Sequence, residues 1–444
     1  MEPKLRRVLK LRDLVFYGIV LITPLAPVGV FGVASQLSRG HATTTILIAM
    51  VAMMLTAASY GRMAVRYPAA GSAYTYVGRG LNPHLGFLAG WAMVLDYLII
   101  PVINVAYVSL TIQRVAPAVP YWVWAVLAAG GMTALNLRGI RTTARTNLAL
   151  LGAMSVVIAA FVALAARYLM RGAGWGGLFS FEPFYHPGTF ALGPVFTATS
   201  LAALTYIGFD GVTTLAEDAE DPKRTVPLAT VLTCLVTGLL STVEIYLAQR
   251  AWPDWTTFTN TETAFLDVTA RVGGPVLFQA MAAVLIVSCF GSGLAGQVGA
   301  ARLLYGMGRD GVLPRRFFGR LSGAGNNPIW NIWLTGALAL AGAVLLSWER
   351  AVEVLNFGAF LSFMGVNIAA IREHFRRSGH EPRASWLTGI AAPALGFVFC
   401  LWIWLSLRTP AKIAGGVWLA AGLVYSAVRT RGFRRRPAAM DFSE

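Results

Sequence analysis

Thr23-Pro24-Leu25-Ala26-Pro27-Val28-Gly29 sets two prolines and a glycine in the middle of an apolar run that extends from about residue 13 to residue 38. A run of that length can cross a hydrocarbon core of about 30 Å. Proline removes an amide donor and clashes with the carbonyl four residues back, so a helix bends or stops there. Backbone left unpaired at that depth is tolerated only where it is buried in protein or lines a polar cavity. A second stretch, Tyr206-Ile207-Gly208-Phe209-Asp210-Gly211, places two glycines around a carboxylate inside another apolar run, about 191–218. Either interruption alone reads equally as an ordinary kink, since Pro and Gly are frequent in membrane helices. Together, one of them holding an acid, they point to the paired discontinuous helices that form a transporter's substrate site.

The rest of the chain fits that reading. Of its 444 residues, 56% are hydrophobic and only 13% charged, against roughly 25% charged in a soluble chain. Hydropathy and breaker residues divide it into twelve spans, so the fold class expected is an all-α polytopic membrane protein. The first apolar run follows a basic tail and is too long for a signal-peptide core, so no cleavable leader is expected. With the N-terminus inside, 27 of the 36 Lys and Arg residues fall in cytoplasmic segments, and nine, such as Arg39, Arg114 and Arg271, fall outside. That bias satisfies the positive-inside rule and puts both termini in the cytoplasm. It also explains the net charge of +16 without a nucleic-acid partner. Cys234, Cys289 and Cys400 lie far apart within spans and suggest neither a metal site nor a disulfide. None of the five histidines (His41, His84, His186, His374 and His380) lies deep in a span. No nucleophile motif or nucleotide-binding loop is visible, so neither an enzyme nor an ATP-driven pump is expected, and no cofactor.

Three further segments carry a resemblance. Tyr67-Pro68-Ala69-Ala70-Gly71-Ser72-Ala73-Tyr74-Thr75-Tyr76 follows span two. Ile207-Gly208-Phe209-Asp210 leads to Glu217 and then Asp221-Pro222. Ala301-Arg302-Leu303-Leu304-Tyr305-Gly306-Met307-Gly308-Arg309-Asp310-Gly311-Val312-Leu313-Pro314 follows span eight. In order and spacing these resemble the amino acid–polyamine–organocation transporters. Asn82-Pro83-His84-Leu85-Gly86-Phe87, Leu95-Asp96-Tyr97-Leu98, Pro101-Val102-Ile103-Asn104-Val105 and Asn356-Phe357-Gly358-Ala359 are similar, within that family, to bacterial putrescine importers. The resemblance implies a LeuT-like fold of two inverted five-helix repeats plus two C-terminal helices. On it, residues 1–12 are a cytoplasmic tail, 13–168 the first repeat, 169–190 an extracellular loop and 191–376 the second repeat. Residues 377–430 are helices eleven and twelve, and 431–444 a second cytoplasmic tail. It also implies a bacterial inner-membrane importer of an amine or amino acid, working by alternating access as a monomer or weak homo-oligomer.

Carboxylates inside spans are informative because a charge at the bilayer centre costs at least about 2.5 kcal/mol. Asp96 lies roughly 18 Å into span three; it either holds an ammonium group or a coupling proton, or is a structural acid bonded to a neighbouring helix. Asp210 marks the span-six break. Glu217, on the same helical face about 10 Å further in, suits an inner gate or a residue that receives an amine. Glu244, in the outer part of span seven, is less informative. Thr23, Pro24, Leu25 and Ala26 offer carbonyls to an ammonium, and their two-proline run is poor in the amides that take a substrate carboxylate at a helix N-terminus. Tyr206, Ile207, Gly208 and Phe209 form the second break. Tyr97, Tyr107, Tyr206, Phe209, Phe357 and Phe360 offer cation–π faces to an aliphatic diamine, or are core. Proton-coupled relatives often carry a lysine in span five; here Met154 stands about there. Ser288 and Ser292 offer hydroxyls for sodium, or simply bond their own helix. Coupling to H+ or Na+ stays open, as does an amino-acid substrate or a non-transporting sensor.

Overall fold

The computed structural model describes residues 9–67, 72–139, 144–216, 219–309, 311–321, 327–376, 385–435 and 437. Among these residues the chain is helical and has no sheet; one isolated bridge joins Leu9 to Ala219. In chain order the helices are α1 (Leu11–Ile22), α2 (Ala26–Leu37), α3 (Ala42–Arg66), α4 (Ser72–Gly80), α5 (Pro83–Val115) and α6 (Tyr121–Leu137). Then come α7 (Ala144–Leu178), α8 (Leu192–Ala202), α9 (Gly211–Thr214), α10 (Pro222–Ala251) and α11 (Ala264–Arg309). The last are α12 (Arg315–Phe318), α13 (Ile329–Leu345), α14 (Trp348–Arg376), α15 (Ala392–Leu405) and α16 (Thr409–Arg429). Nine helical segments among the described residues are long and apolar enough to cross a membrane, and α1 with α2 makes a tenth if the bent pair is one span. The helices α6 and α13 are apolar but only 17 residues long.

Both interruptions occur where proline and glycine leave the helix no continuation. Thr23, ahead of Pro24, leaves the α region, as a residue before a proline does, and takes a φ of 66°, a strained value for a β-branched side chain. The chain then re-enters a helix with Pro27 in its first turn, where a missing amide costs nothing. The two halves meet at 53°. In the second interruption α8 tightens into a 3-10 turn over Ala203–Tyr206, Ile207 is extended, and Gly208 has φ 116° before α9 begins. Only glycine adopts that conformation without strain. The two breaks face each other: a Cβ on Gly208 would sit 3.4 Å from the Leu21 carbonyl, and one on Gly211 would sit 2.5 Å from the Leu21 side chain.

Long unbroken helices buttress this joint. Thr233 of α10 packs at Gly18 of α1, and Gly238 of α10 lies against Met50 and Tyr206. Trp91 of α5 and Trp418 of α16 donate to each other's backbone carbonyls at 2.9 and 2.8 Å, with rings 5.0 Å apart, which fastens the last helix to the bundle. Arg408, ahead of α16, bonds Glu349 and Glu353 in α14 at 2.8 and 2.7 Å. One boundary differs from expectation. The segment 169–190, expected as a loop, is helical as far as Leu178, past a left-handed Gly174. Trp175 and Phe179, one turn apart, stack at 6.3 Å and hold that turn.

Replacing Gly208 by Ala forces a side chain into a sparsely populated conformation, which costs about 1–3 kcal/mol. Thermal unfolding of the detergent-purified protein should show a lower midpoint for Gly208→Ala; an unchanged midpoint would contradict this account of the break.

Candidate substrate site

The carboxylates of Asp96 and Asp210 approach the joint from different helices and lie within electrostatic range of each other. Tyr60 of α3 and Tyr97 of α5 lie within range of both. The two acids are held differently. Asp210 accepts from the Ser72 hydroxyl at 3.3 Å, and the amides of Gly208, Asp210 and Gly211 lie beside it. The Asp96 Oδ1 is buried and has no hydrogen-bond partner among the described residues. It abuts α14 where that helix has no side chain: a Cβ on Gly358 would sit 2.6 Å from Oδ1. A buried oxygen without a donor is costly, so Asp96 offers an acceptor that an incoming ammonium would satisfy.

Around the break of the first span, the carbonyls of Thr23 and Leu25 each receive one amide, from Ala26 at 3.0 Å and from Val28 at 3.1 Å. Each carbonyl keeps a second lone pair. Those bonds also consume two of the three amides that Leu25, Ala26 and Val28 offered, so this turn has little left with which to bind a carboxylate. Pro24 and Leu25 are buried, Thr23 and Ala26 half-buried.

The aromatic candidates separate into two groups. Tyr97 is 36% exposed and lies over Gly299 of α11. Tyr107 is buried beside Gly29 and packs on Trp348 at 5.3 Å, its hydroxyl unpartnered among the described residues. Tyr97 lies beside both acids, whereas Tyr107 stands eleven residues, about 16 Å, further along α5 than Asp96. Tyr206 is fully buried and spends its hydroxyl on the Ile46 carbonyl at 2.9 Å, in α3. Phe209 packs on Tyr60 and Phe363, and Phe360 on Phe363. Phe357 turns toward the C-terminal helices, against Trp404 at 5.0 Å and Gly415. Those four are packing residues in this conformation. Ile207 is half-buried in the extended link. Ser288 and Ser292 stand one turn apart on α11, the first buried and the second exposed. Met154 is buried in α7. Glu217 lies outside the described residues.

Three residues near the acids were not singled out from the sequence. Tyr60 is buried at the hub of an aromatic cluster, edge-on to Tyr76, Phe209 and Phe363 at 5.8, 5.3 and 5.8 Å. Nothing in its sequence surroundings distinguishes it from a core tyrosine. Ser72 and Gly358 did stand in segments that carry the family resemblance, and their roles are geometric: one reaches Asp210, the other makes room for Asp96.

The sequence profile of the amino acid permease family matches residues 22–422. The chain is 33% identical over 433 residues to the low-affinity putrescine importer PlaP of Escherichia coli (strain K12), covering 97% of this chain and 95% of that one. It is 25% identical to the branched-chain amino acid permease BcaP of Bacillus subtilis (strain 168), over 95% of this chain and 93% of the other. It is 28% identical to the vacuolar cationic amino acid transporter 4 of Arabidopsis thaliana, over 77% of this chain and 60% of that transporter.

The different settings of the two acids are measurable. Asp210→Asn turns an amide group toward donors and should cost about 1–3 kcal/mol. Asp96→Asn meets one backbone donor, at Ala359, and removes an oxygen that had no partner, so it should cost less than Asp210→Asn. Unfolding of both variants in detergent compares them; equal losses would contradict the described settings.

Proposed function

The chain belongs to the amino acid permease family, whose members are membrane transporters and not enzymes, and on that footing we propose that it imports a small organic amine, putrescine or a related polyamine. The observation that carries the proposal is the pair of carboxylates at the joint of two broken helices. A diamine presents two ammonium groups to two acids, and its apolar centre suits Tyr97, which lies within range of both. An amino acid brings a carboxylate, which this amide-poor turn is ill equipped to hold. The similarity to a protein named as a putrescine importer supports the same substrate class.

The architecture proposed with it has twelve spans. Counting the bent pair as one and adding α6 and α13 to the nine long segments gives that number. In this reading two inverted five-helix repeats make a LeuT-like core, with α15 and α16 appended, and the core works by alternating access. The basic-residue bias supports cytoplasmic termini in a bacterial inner membrane. The driving ion is H+ or Na+, and the exposure of Ser292 favours H+. The protein works as a monomer or weak homo-oligomer. A second reading, an amino-acid permease, is favoured by the similarity to branched-chain and cationic amino acid carriers.

Proteoliposome uptake separates the two. Labelled putrescine should accumulate, excess arginine should compete weakly, and Asp96→Asn should reduce uptake at least about tenfold, a loss of roughly 1.4 kcal/mol of interaction. Arginine uptake that putrescine cannot inhibit would establish the second reading instead.

A further inference from the structure

Among the described residues Glu244 alone has both carboxyl oxygens buried and without a hydrogen-bond partner. It sits in the outer third of α10 and is 1% exposed. Of the other acids within the spans, Glu353 is supported by Arg408, Glu373 by Arg66 and Tyr67, and Asp210 by Ser72, while Asp96 lacks a partner at Oδ1 alone. Removing an ionised carboxylate from water without a partner costs several kcal/mol. A neutral carboxylic acid avoids most of that penalty. In this conformation Glu244 therefore carries its proton, and only access to water allows it to ionise.

Glu244 also ends a polar line. Thr230, Thr233, Thr237, Ser241 and Glu244 recur at three- and four-residue spacing, hence on one face of α10, and all five are buried. The line covers about 21 Å along the helix. Thr230 and Thr237 bond carbonyls of their own helix at 2.7 and 2.6 Å, as such residues usually do. Thr233 does not; its hydroxyl is buried, unpartnered among the described residues, and beside Gly18 in the inner half of the broken first span. The line thus joins the acid to the helix pair that forms the substrate site.

Among the described residues no charged group competes for this proton. α2 and residues 42–59 of α3 contain no ionisable side chain, and α9 contains none. His41, ahead of α3, bonds the Ser38 carbonyl and the His186 amide. Tyr206 is committed to Ile46. In α1, Arg12 and Asp13 pair with each other at the far end. In α7, Arg167, Tyr168 and Arg171 are exposed. In α11, Asp267 pairs with Arg114, Arg271 donates to Tyr168, and Cys289 lies near Tyr107. On α10 itself Arg250 pairs with Glu182, and Cys234 is a buried thiol.

We propose that Glu244 is the proton-binding site that couples this permease to a proton gradient. The carboxylate takes a proton from hydronium on one side of the membrane, leaving water, and is buried as the neutral acid. It returns the proton to water on the other side after the broken helices move against α10. This rests on the transporter reading, and it names the driving ion.

The test pairs one transport and one substrate-free measurement on wild type and Glu244→Gln, which keeps the shape of the neutral acid. At zero membrane potential, one coupled proton lets a gradient of one pH unit sustain about tenfold accumulation. Wild type should reach it, whereas Glu244→Gln should only equilibrate labelled putrescine while keeping exchange of internal for external putrescine. Infrared spectroscopy of the purified protein should show the carbonyl band of a dehydrated carboxylic acid that Glu244→Gln loses. If the variant does not fold, mass spectrometry of wild type treated with an apolar carbodiimide should find Glu244 modified. Undiminished gradient-driven accumulation, retention of the infrared band, or absence of modification at Glu244 would overturn the proposal. If putrescine is not carried at all, the substrate reading fails, and the infrared and labelling results still decide Glu244.

Discussion

Every backbone amide and carbonyl freed inside a bilayer must be paired within the protein or placed beside a cavity, and the architecture of this permease follows from how it meets that requirement twice. Pro24 and Pro27 interrupt one helix, Gly208 and Gly211 another, and the two interruptions face each other at Leu21. Part of the freed backbone is satisfied locally, by the Ala26 and Val28 amides on Thr23 and Leu25. The remaining acceptors, together with two carboxylates, give the joint an excess of negative character. The long helices α3, α5, α10 and α14 hold the joint in place, and many of their hydroxyls bond carbonyls of their own helix.

Much of this was legible in the sequence. Proline and glycine have local effects on φ and on amide count that no tertiary context removes, so the positions of both breaks could be read directly. Carboxylates within apolar runs are equally conspicuous, because their cost in a membrane demands a reason. Aromatic residues carry no such signal. Tyr206, Phe209, Phe357 and Phe360 occupy the helices that line the site, yet their rings turn toward α3, α14 and the C-terminal pair. Which face of a buried helix meets the site is decided by packing, and a helix that is apolar all round gives no periodicity from which to read it. Tyr60 escaped for the same reason. Ser72 and Gly358 escaped differently, since their segments were recognisable but the contacts they make join residues far apart in sequence. The helical continuation to Leu178 shows that a glycine-rich stretch remains helical when aromatic neighbours stack across the turn.

The three span acids Asp96, Asp210 and Glu244 differ in their surroundings. Asp210 accepts from Ser72, the first residue of α4. Asp96 has one oxygen waiting for a donor. Glu244 has neither donor nor solvent. An anion with a donor can stay charged, an anion lacking one attracts a cation, and an acid with neither keeps its proton.

The account's central claim is that the joint holds a cationic amine through Asp96. Thermal-shift titration of the purified protein tests this without requiring transport. At 100 times its Kd a ligand stabilises by about 2.7 kcal/mol, and putrescine should give a saturable shift of that size in wild type and none at the same concentration in Asp96→Asn. An equal shift in both proteins, or a shift with a zwitterionic amino acid and none with putrescine, would contradict it.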